Sequence, residues 1–183
     1  MERARRQKHQ ISPDRKPALE LEALLVTITK GVAAGVQVVR ADGQGFVHFE
    51  VRGTPDSVET LKKHHKSIST IMKVAGRVRR TRITMQFHSQ ALGEVEISGV
   101  EDLEAMVSAM SRSMADRPDD VVVFTANGDA FIHYDVRCDR DDVGSLIGGR
   151  GAHVSAMRAL VEAAGESRGI RATIHVMARD DNS

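Results

Sequence analysis

The sequence holds no tryptophan, one tyrosine and five phenylalanines in 183 residues. Aromatics at 3% argue against a nucleic-acid reader that stacks successive bases on an aromatic platform. Cysteine is nearly absent too. Cys138 stands alone, which leaves no disulfide framework and no cysteine zinc cluster, and points to a reducing cytoplasm. No apolar run approaches the roughly 20 residues that cross a bilayer, so no membrane is expected. The basic N-terminus (Arg3, Arg5, Arg6, Lys8) is followed by no apolar h-region and is not read as a signal peptide. Lysine is missing after Lys73.

What is present fits a globular protein, with 41% hydrophobic and 28% charged residues. The length suits one ordinary domain or two small ones. A net charge of +1 conceals a division. Residues 1–100 hold 17 Lys+Arg against 10 Asp+Glu, giving +7, and residues 101–183 hold 9 against 15, giving −6. Such asymmetry suggests divided roles, or attraction between the halves.

From Leu21 onward the sequence repeats itself. Leu21-Glu22-Ala23-Leu24-Leu25 returns as Leu103-Glu104-Ala105-Met106-Val107, an offset of 103 − 21 = 82. Phe46-Val47-His48-Phe49-Glu50-Val51-Arg52 returns as Phe131-Ile132-His133-Tyr134-Asp135-Val136-Arg137, an offset of 131 − 46 = 85. Ala75-Gly76, Arg82 and Thr84 return as Ala164-Gly165, Arg171 and Thr173, an offset of 164 − 75 = 89. The offset changes only near element ends, where insertions are tolerated. This is a duplication.

Each unit begins with an amphipathic helix, marked by Leu21, Leu24, Leu25 and Ile28, then by Leu103, Met106, Val107, Met110 and Met114. Ser98, three residues before Glu101, gives the second helix a capping-box signature. A strand follows (36–40; 121–125), then hairpin turns at Asp42-Gly43 and Asn127-Gly128. An alternating strand, two helices and a closing strand (82–87; 171–177) complete the unit. A strand–helix–helix–strand crossover lets the last strand lie parallel to a neighbour. The fold class is α+β: two tandem α-β-β-α-α-β units, each a small mixed three-stranded sheet covered by helices on one face. Residues 1–17, with Pro13 and Pro17, read as a basic flexible arm, either a tether for a polyanion or a solvated tail. The units span 18–90 and 101–179, joined by a linker at 91–100. Glu94-Val95-Glu96-Ile97 suggests a short edge strand at that join.

The second unit carries Val143-Gly144-Ser145-Leu146-Ile147-Gly148-Gly149-Arg150-Gly151-Ala152-His153-Val154 between its last two helices. Val143, Leu146 and Ile147 share one helical face, and Asp139 is the expected N-cap. Val154, Met157, Leu160, Val161 and Ala164 resume the helical spacing. Glycines at both ends of so short a turn allow backbone angles that other residues resist, and let another backbone approach closely. Amides opening the next helix carry partial positive charge, which suits phosphate.

With this element order the loop resembles that of a type II KH domain. Residues 101–179 look like the small bacterial KH RNA-binding proteins of the KhpA family. The matching residues are Val143-Gly144, Leu146-Ile147-Gly148-x-x-Gly151, Met157-Arg158 and the closing strand. The resemblance implies a clamp on the backbone of about four nucleotides of single-stranded RNA, formed by Gly148, Gly149, Arg150 and Gly151. It also implies an apolar base groove at Ile147 and Val154, with Arg158 among the RNA contacts.

The first unit has Leu61-Lys62-Lys63-His64-His65-Lys66 at this place, one residue shorter and without glycine. By resemblance it is a degenerate KH copy. Lys62, Lys63, His64, His65 and Lys66, grouped with Arg77, Arg79, Arg80 and Arg82, read either as an electrostatic phosphate contact or as a solvated basic face. His48 and His133 each precede a carboxylate by two residues (Glu50, Asp135), which puts each pair on one strand face. No third ligand or nucleophile is spaced for catalysis or metal binding, so no enzyme, metal or cofactor is expected.

The expectation is a cytoplasmic, non-enzymatic protein of post-transcriptional regulation that binds single-stranded RNA, or single-stranded DNA in the same way. The rival is a KH-fold assembly module that docks on another KH-domain protein. Opposite half-charges favour docking of the two units into a monomeric pseudo-dimer, with a homodimer as the alternative.

Overall fold

The computed structural model describes residues 16–43, 45–89, 101–128 and 130–179. Arm residues up to 15, Ser98 and the strand suggested at 94–97 lie outside them. Helix α1 (Lys16–Val32) starts two residues inside the stretch read as arm, because proline fits a first helical turn. Its stripe of Leu21, Leu24, Leu25, Ile28 and Val32 is buried.

Strands β1 (Val36–Gly43) and β2 (Phe46–Gly53) pair antiparallel, from Val36↔Gly53 to Gly43↔Phe46. Asp42 and Gly43, expected from the sequence as the turn, are instead paired within the ladder, and Gly45 supplies φ 71° just before β2. Helix α2 (Pro55–Lys63) is capped by Thr54, whose Oγ1 accepts from the Ser57 amide at 3.3 Å. Helix α3 (His65–Val78) leads to β3 (Arg82–Ser89), which runs parallel to β2 from Phe46↔Arg82.

The second unit repeats the plan with α4 (Glu101–Met114), β4 (Val122–Asn127), β5 (Phe131–Cys138), α5 (Arg140–Ile147), α6 (Ala152–Glu166) and β6 (Arg171–Ala178). Both sheets place the second strand in the middle, one neighbour antiparallel and one parallel. Alternation buries Val47, Phe49 and Val51 on β2, and Ile132, Tyr134 and Val136 on β5. Asp139 caps α5 as expected, accepting from the Asp141 amide at 2.9 Å. A tie the sequence did not announce is Asp142. Its buried carboxylate accepts from the Asp116 and Arg117 amides at 2.8 and 3.1 Å, fastening the corner after α4 to α5.

Each sheet buries one face under its own helices, and the two helical layers then meet, α1 against α4 and α3 against α6. The order is sheet, helices, helices, sheet, with one hydrophobic core running through both units. Gly31 shows how close the layers come: a Cβ there would lie 2.5 Å from Met106 Sδ. Leu25, Ile28, Met106 and Met110 are fully buried in these helices. The docking expected from opposite charge thus rests on apolar burial, which screening by salt does not weaken.

Candidate nucleic-acid interface

Helix α5 ends at Ile147, and the Gly148 amide donates to Gly144 O at 2.8 Å. Gly148 then takes φ 73°, ψ 168°, a region that side chains avoid. A Cβ at this point would lie 2.4 Å from the His153 ring. That ring is fixed in turn, since its Nδ1 donates to Ser145 O at 2.7 Å. Residues Gly149–Gly151 make a single 3-10 turn in which Arg150 (φ 54°, ψ 27°) and Gly151 (φ 74°, ψ 18°) are both left-handed. The Gly151 amide returns to Gly148 O at 3.0 Å and the Ala152 amide to Gly149 O. The Gly149 and Arg150 amides donate to no carbonyl among the described residues. Gly149 has nothing within 4 Å of its Cβ position. Two donors without a carbonyl partner among the described residues thus stand just before a 15-residue helix, where the backbone dipoles favour an anion.

Beside the turn, Val143, Ile147 and Val154 are half-buried against the core and form an apolar strip. Arg150 is exposed, as is Arg158, one helical turn beyond Val154 on the same face of α6. Neither arginine forms an ion pair among the described residues. Ile147, Gly148, Gly149, Arg150, Gly151 and Val154 therefore share one corner of the second unit.

Residues 104–176 match the family model for the KH domain of KhpA and KhpB. The second unit is a KhpA/KhpB-type KH domain. The match begins within α4, ends within β6 and includes the whole glycine loop. KH domains of this kind are typically non-catalytic binding modules. Residues 16–89 share the α-β-β-α-α-β arrangement outside the matched span. No curated protein matches the chain.

The first KH-like unit joins α2 to α3 directly through His64, at φ −100° and ψ 7°, so the left-handed turn is gone. Lys62 and Lys66 remain exposed. Lys63 pairs with Glu59 at 3.4 Å, and the His65 ring meets Phe87 edge-on, with centroids 5.5 Å apart. The arginines grouped with this cluster in the sequence are not beside it. Twelve residues of α3 separate His65 from Arg77, roughly 18 Å along the axis. Arg79 is engaged at the contact between units, donating from Nε to Glu20 Oε2 at 2.8 Å and from Nη1 to Ser113 O at 3.0 Å. Arg77 and Arg80 instead border a cleft of about 580 Å³ whose other side is Gly144, Ser145, Gly148, Gly149 and His153.

The paired strand histidines diverge. His133 Nε2 donates to Asp135 Oδ1 at 3.1 Å, and its Nδ1 lies 2.8 Å from Thr173 Oγ1. Among the described residues His48 makes the threonine contact alone, to Thr84 Oγ1 at 2.8 Å. Glu50 turns to Arg52, whose hydrogen bonds hold the carboxyl below its usual range. Among the described residues no group of three His, Cys, Asp or Glu could hold a metal ion. No described helix is long and apolar enough to cross a membrane.

Proposed function

We propose that the chain binds single-stranded RNA at the Gly148–Gly151 loop, as a cytoplasmic, non-enzymatic protein. The observation that carries this reading is the pair of unpaired amides, Gly149 and Arg150, on a left-handed turn that opens a helix within a KH domain. Phosphate oxygens accept from these amides while the Arg150 guanidinium adds a mobile charge. Bases then lie on the strip of Val143, Ile147 and Val154, where apolar contact needs no aromatic platform. Single-stranded DNA offers the same phosphates, and the 2′-hydroxyl is what separates the two. Lys62 and Lys66 add sequence-independent attraction. A purely assembling role is less well supported, because the helical faces suited to it are already covered by the partner unit within the chain.

The test is the double substitution Gly149→Asp with Arg150→Asp. Gly149 has room for a side chain, and aspartate tolerates the left-handed backbone at position 150 better than most residues. Two carboxylates facing phosphate should weaken RNA binding by ~10- to 100-fold, the scale of one or two charge-assisted hydrogen bonds. Unchanged affinity with native circular dichroism would overturn the assignment.

A further inference from the structure

The loop described above is only one side of the cleft. On the other side stand Arg77 and Arg80, from the end of α3 in the unit that lost its own glycine loop. Both side chains are exposed, and neither pairs with a carboxylate among the described residues. One acid, Asp116, also borders the cleft and forms no ion pair among the described residues.

The repeat itself supplies a control for these arginines. The offset of 89 places Glu166 where Arg77 stands (166 − 77 = 89) and Gly169 where Arg80 stands (169 − 80 = 89). The α6 end thus carries an acid and a glycine where the α3 end carries two arginines. Only the α3 end borders a glycine loop. The backbone agrees. Gly169 takes φ 69°, and Arg80 takes φ 52° at the equivalent point. A side chain held there costs about 1 kcal/mol or more. Arg80 and Arg150 are the only non-glycine residues with positive φ among the described residues; Arg80 borders the cleft, and Arg150 directly follows Gly149, which borders it from the other side.

We infer that Arg77 and Arg80 form the second jaw of the RNA site, gripping phosphates of the same strand that the glycine loop holds. The inference rests on the reading of the loop given above. A strand in the cleft meets backbone amides from the second unit and guanidinium groups from the first. The degenerate unit therefore acts through the far end of its third helix, and the two units make one site.

Test it with the full chain, a fluorescein-labelled oligouridine decamer, and anisotropy titrations across a salt series. The variant is Arg77→Gln with Arg80→Gly, the glycine chosen because it accepts φ 52° without strain. Loss of two phosphate contacts should lower the slope of log K against log salt by about 1.4, and weaken binding about 25-fold at ~0.1 M salt. Lys30→Gln with Lys73→Gln removes the same charge from exposed positions outside the cleft and should leave the slope nearly unchanged. If the lysine control lowers the slope equally, general charge is responsible and the second jaw does not exist. If the loop variant loses RNA while the arginine variant keeps its slope, the jaw is wrong and the loop reading stands. If the loop variant keeps its affinity, the loop reading falls and takes the jaw with it.

Discussion

Arg79 and Arg168 make the same pair of hydrogen bonds from opposite sides of the contact between the two units. Arg79 Nη1 donates to Ala75 O at 3.1 Å in its own helix and across to Ser113 O at 3.0 Å. Arg168 Nη1 donates to Ala164 O at 2.6 Å and across to Gly31 O at 2.8 Å. Donors and near acceptors share one offset (168 − 79 = 164 − 75 = 89), and the far acceptors share the other (113 − 31 = 82). The units are thus related by an approximate two-fold axis, the arrangement of an isologous dimer, inside one polypeptide.

That arrangement predicts the solution mass. Because the apolar helical faces cover each other within the chain, sedimentation should give about 20.0 kDa at every concentration tried. A mass near twice that value would show the faces pairing between chains instead.

Close approach at Gly31 predicts a coupling. Gly31→Ala places a methyl 2.5 Å from Met106 Sδ, an overpacking that should cost ~1–3 kcal/mol in urea unfolding. Met106→Ala alone leaves a cavity and should cost ~2–5 kcal/mol. The double variant should be less destabilised than the sum, because the new methyl enters space the thioether vacated. Simple additivity would place the two residues apart.

The loop glycines should separate cleanly. Gly148→Ala meets the His153 ring at φ 73° and should cost ~1–3 kcal/mol, with weaker RNA binding. Gly149→Ala points into open space and should shift stability by less than about 0.5 kcal/mol. Thermal melts and RNA titrations on the two variants check both statements.

Alkaline pH offers a third probe of packing. Burial pushes the Tyr134 phenol up to about 12, with Glu104 adding to the rise and Arg168 opposing it. In the unfolded chain the phenol titrates near ~10, so the unfolded state ionises first. Its contribution to stability is whole below about pH 10 and lost as pH rises toward about 12. Burial likewise raises the Cys138 thiol to about 11, with Asp142 and Asp139 adding to it, which moves the onset of alkaline loss down to about pH 9. Tyr134 is the chain's single tyrosine, so phenolate absorbance reports it alone. The absorbance should rise together with unfolding, and Tyr134→Phe should remove the upper part of the loss. Ionisation near pH 10 in a chain with native circular dichroism would contradict this burial.

Fold and loop were legible because their signals are local. The 3.6-residue spacing of Leu21, Leu24, Leu25 and Ile28, the alternation through Phe49 and Tyr134, and the Asp139 cap each need only a short window of chain. The repeat multiplied them, since every element appeared twice. Asp42-Gly43 is a strong turn pair in any short window of sequence, but pairing across the sheet overrode it and drew both residues into β1. The cleft was hidden for a different reason. Arg77 and Gly149 meet only after two helical layers dock, and nothing local announces which helix end will face which loop. Proximity in sequence instead joined Arg77 and Arg80 to Lys62–Lys66, at the opposite end of α3. The docking did leave a trace. Arg79 and Arg168 keep the repeat offset on the two helix ends, and a conserved spacing of that kind marks a contact shared by both copies.

The contrast between Arg80 and Gly169 has a consequence for how such a chain can change. In an assembly of identical subunits every substitution appears twice, so an arginine gained beside one loop is also gained beside the other. Fusion into one reading frame removes that constraint. A single mutation then alters one side of the axis only, and opposite demands on equivalent positions can be met at once. One copy can thus carry a glycine loop while the other has none, and one left-handed turn can hold arginine at position 80 while its equivalent holds glycine at position 169.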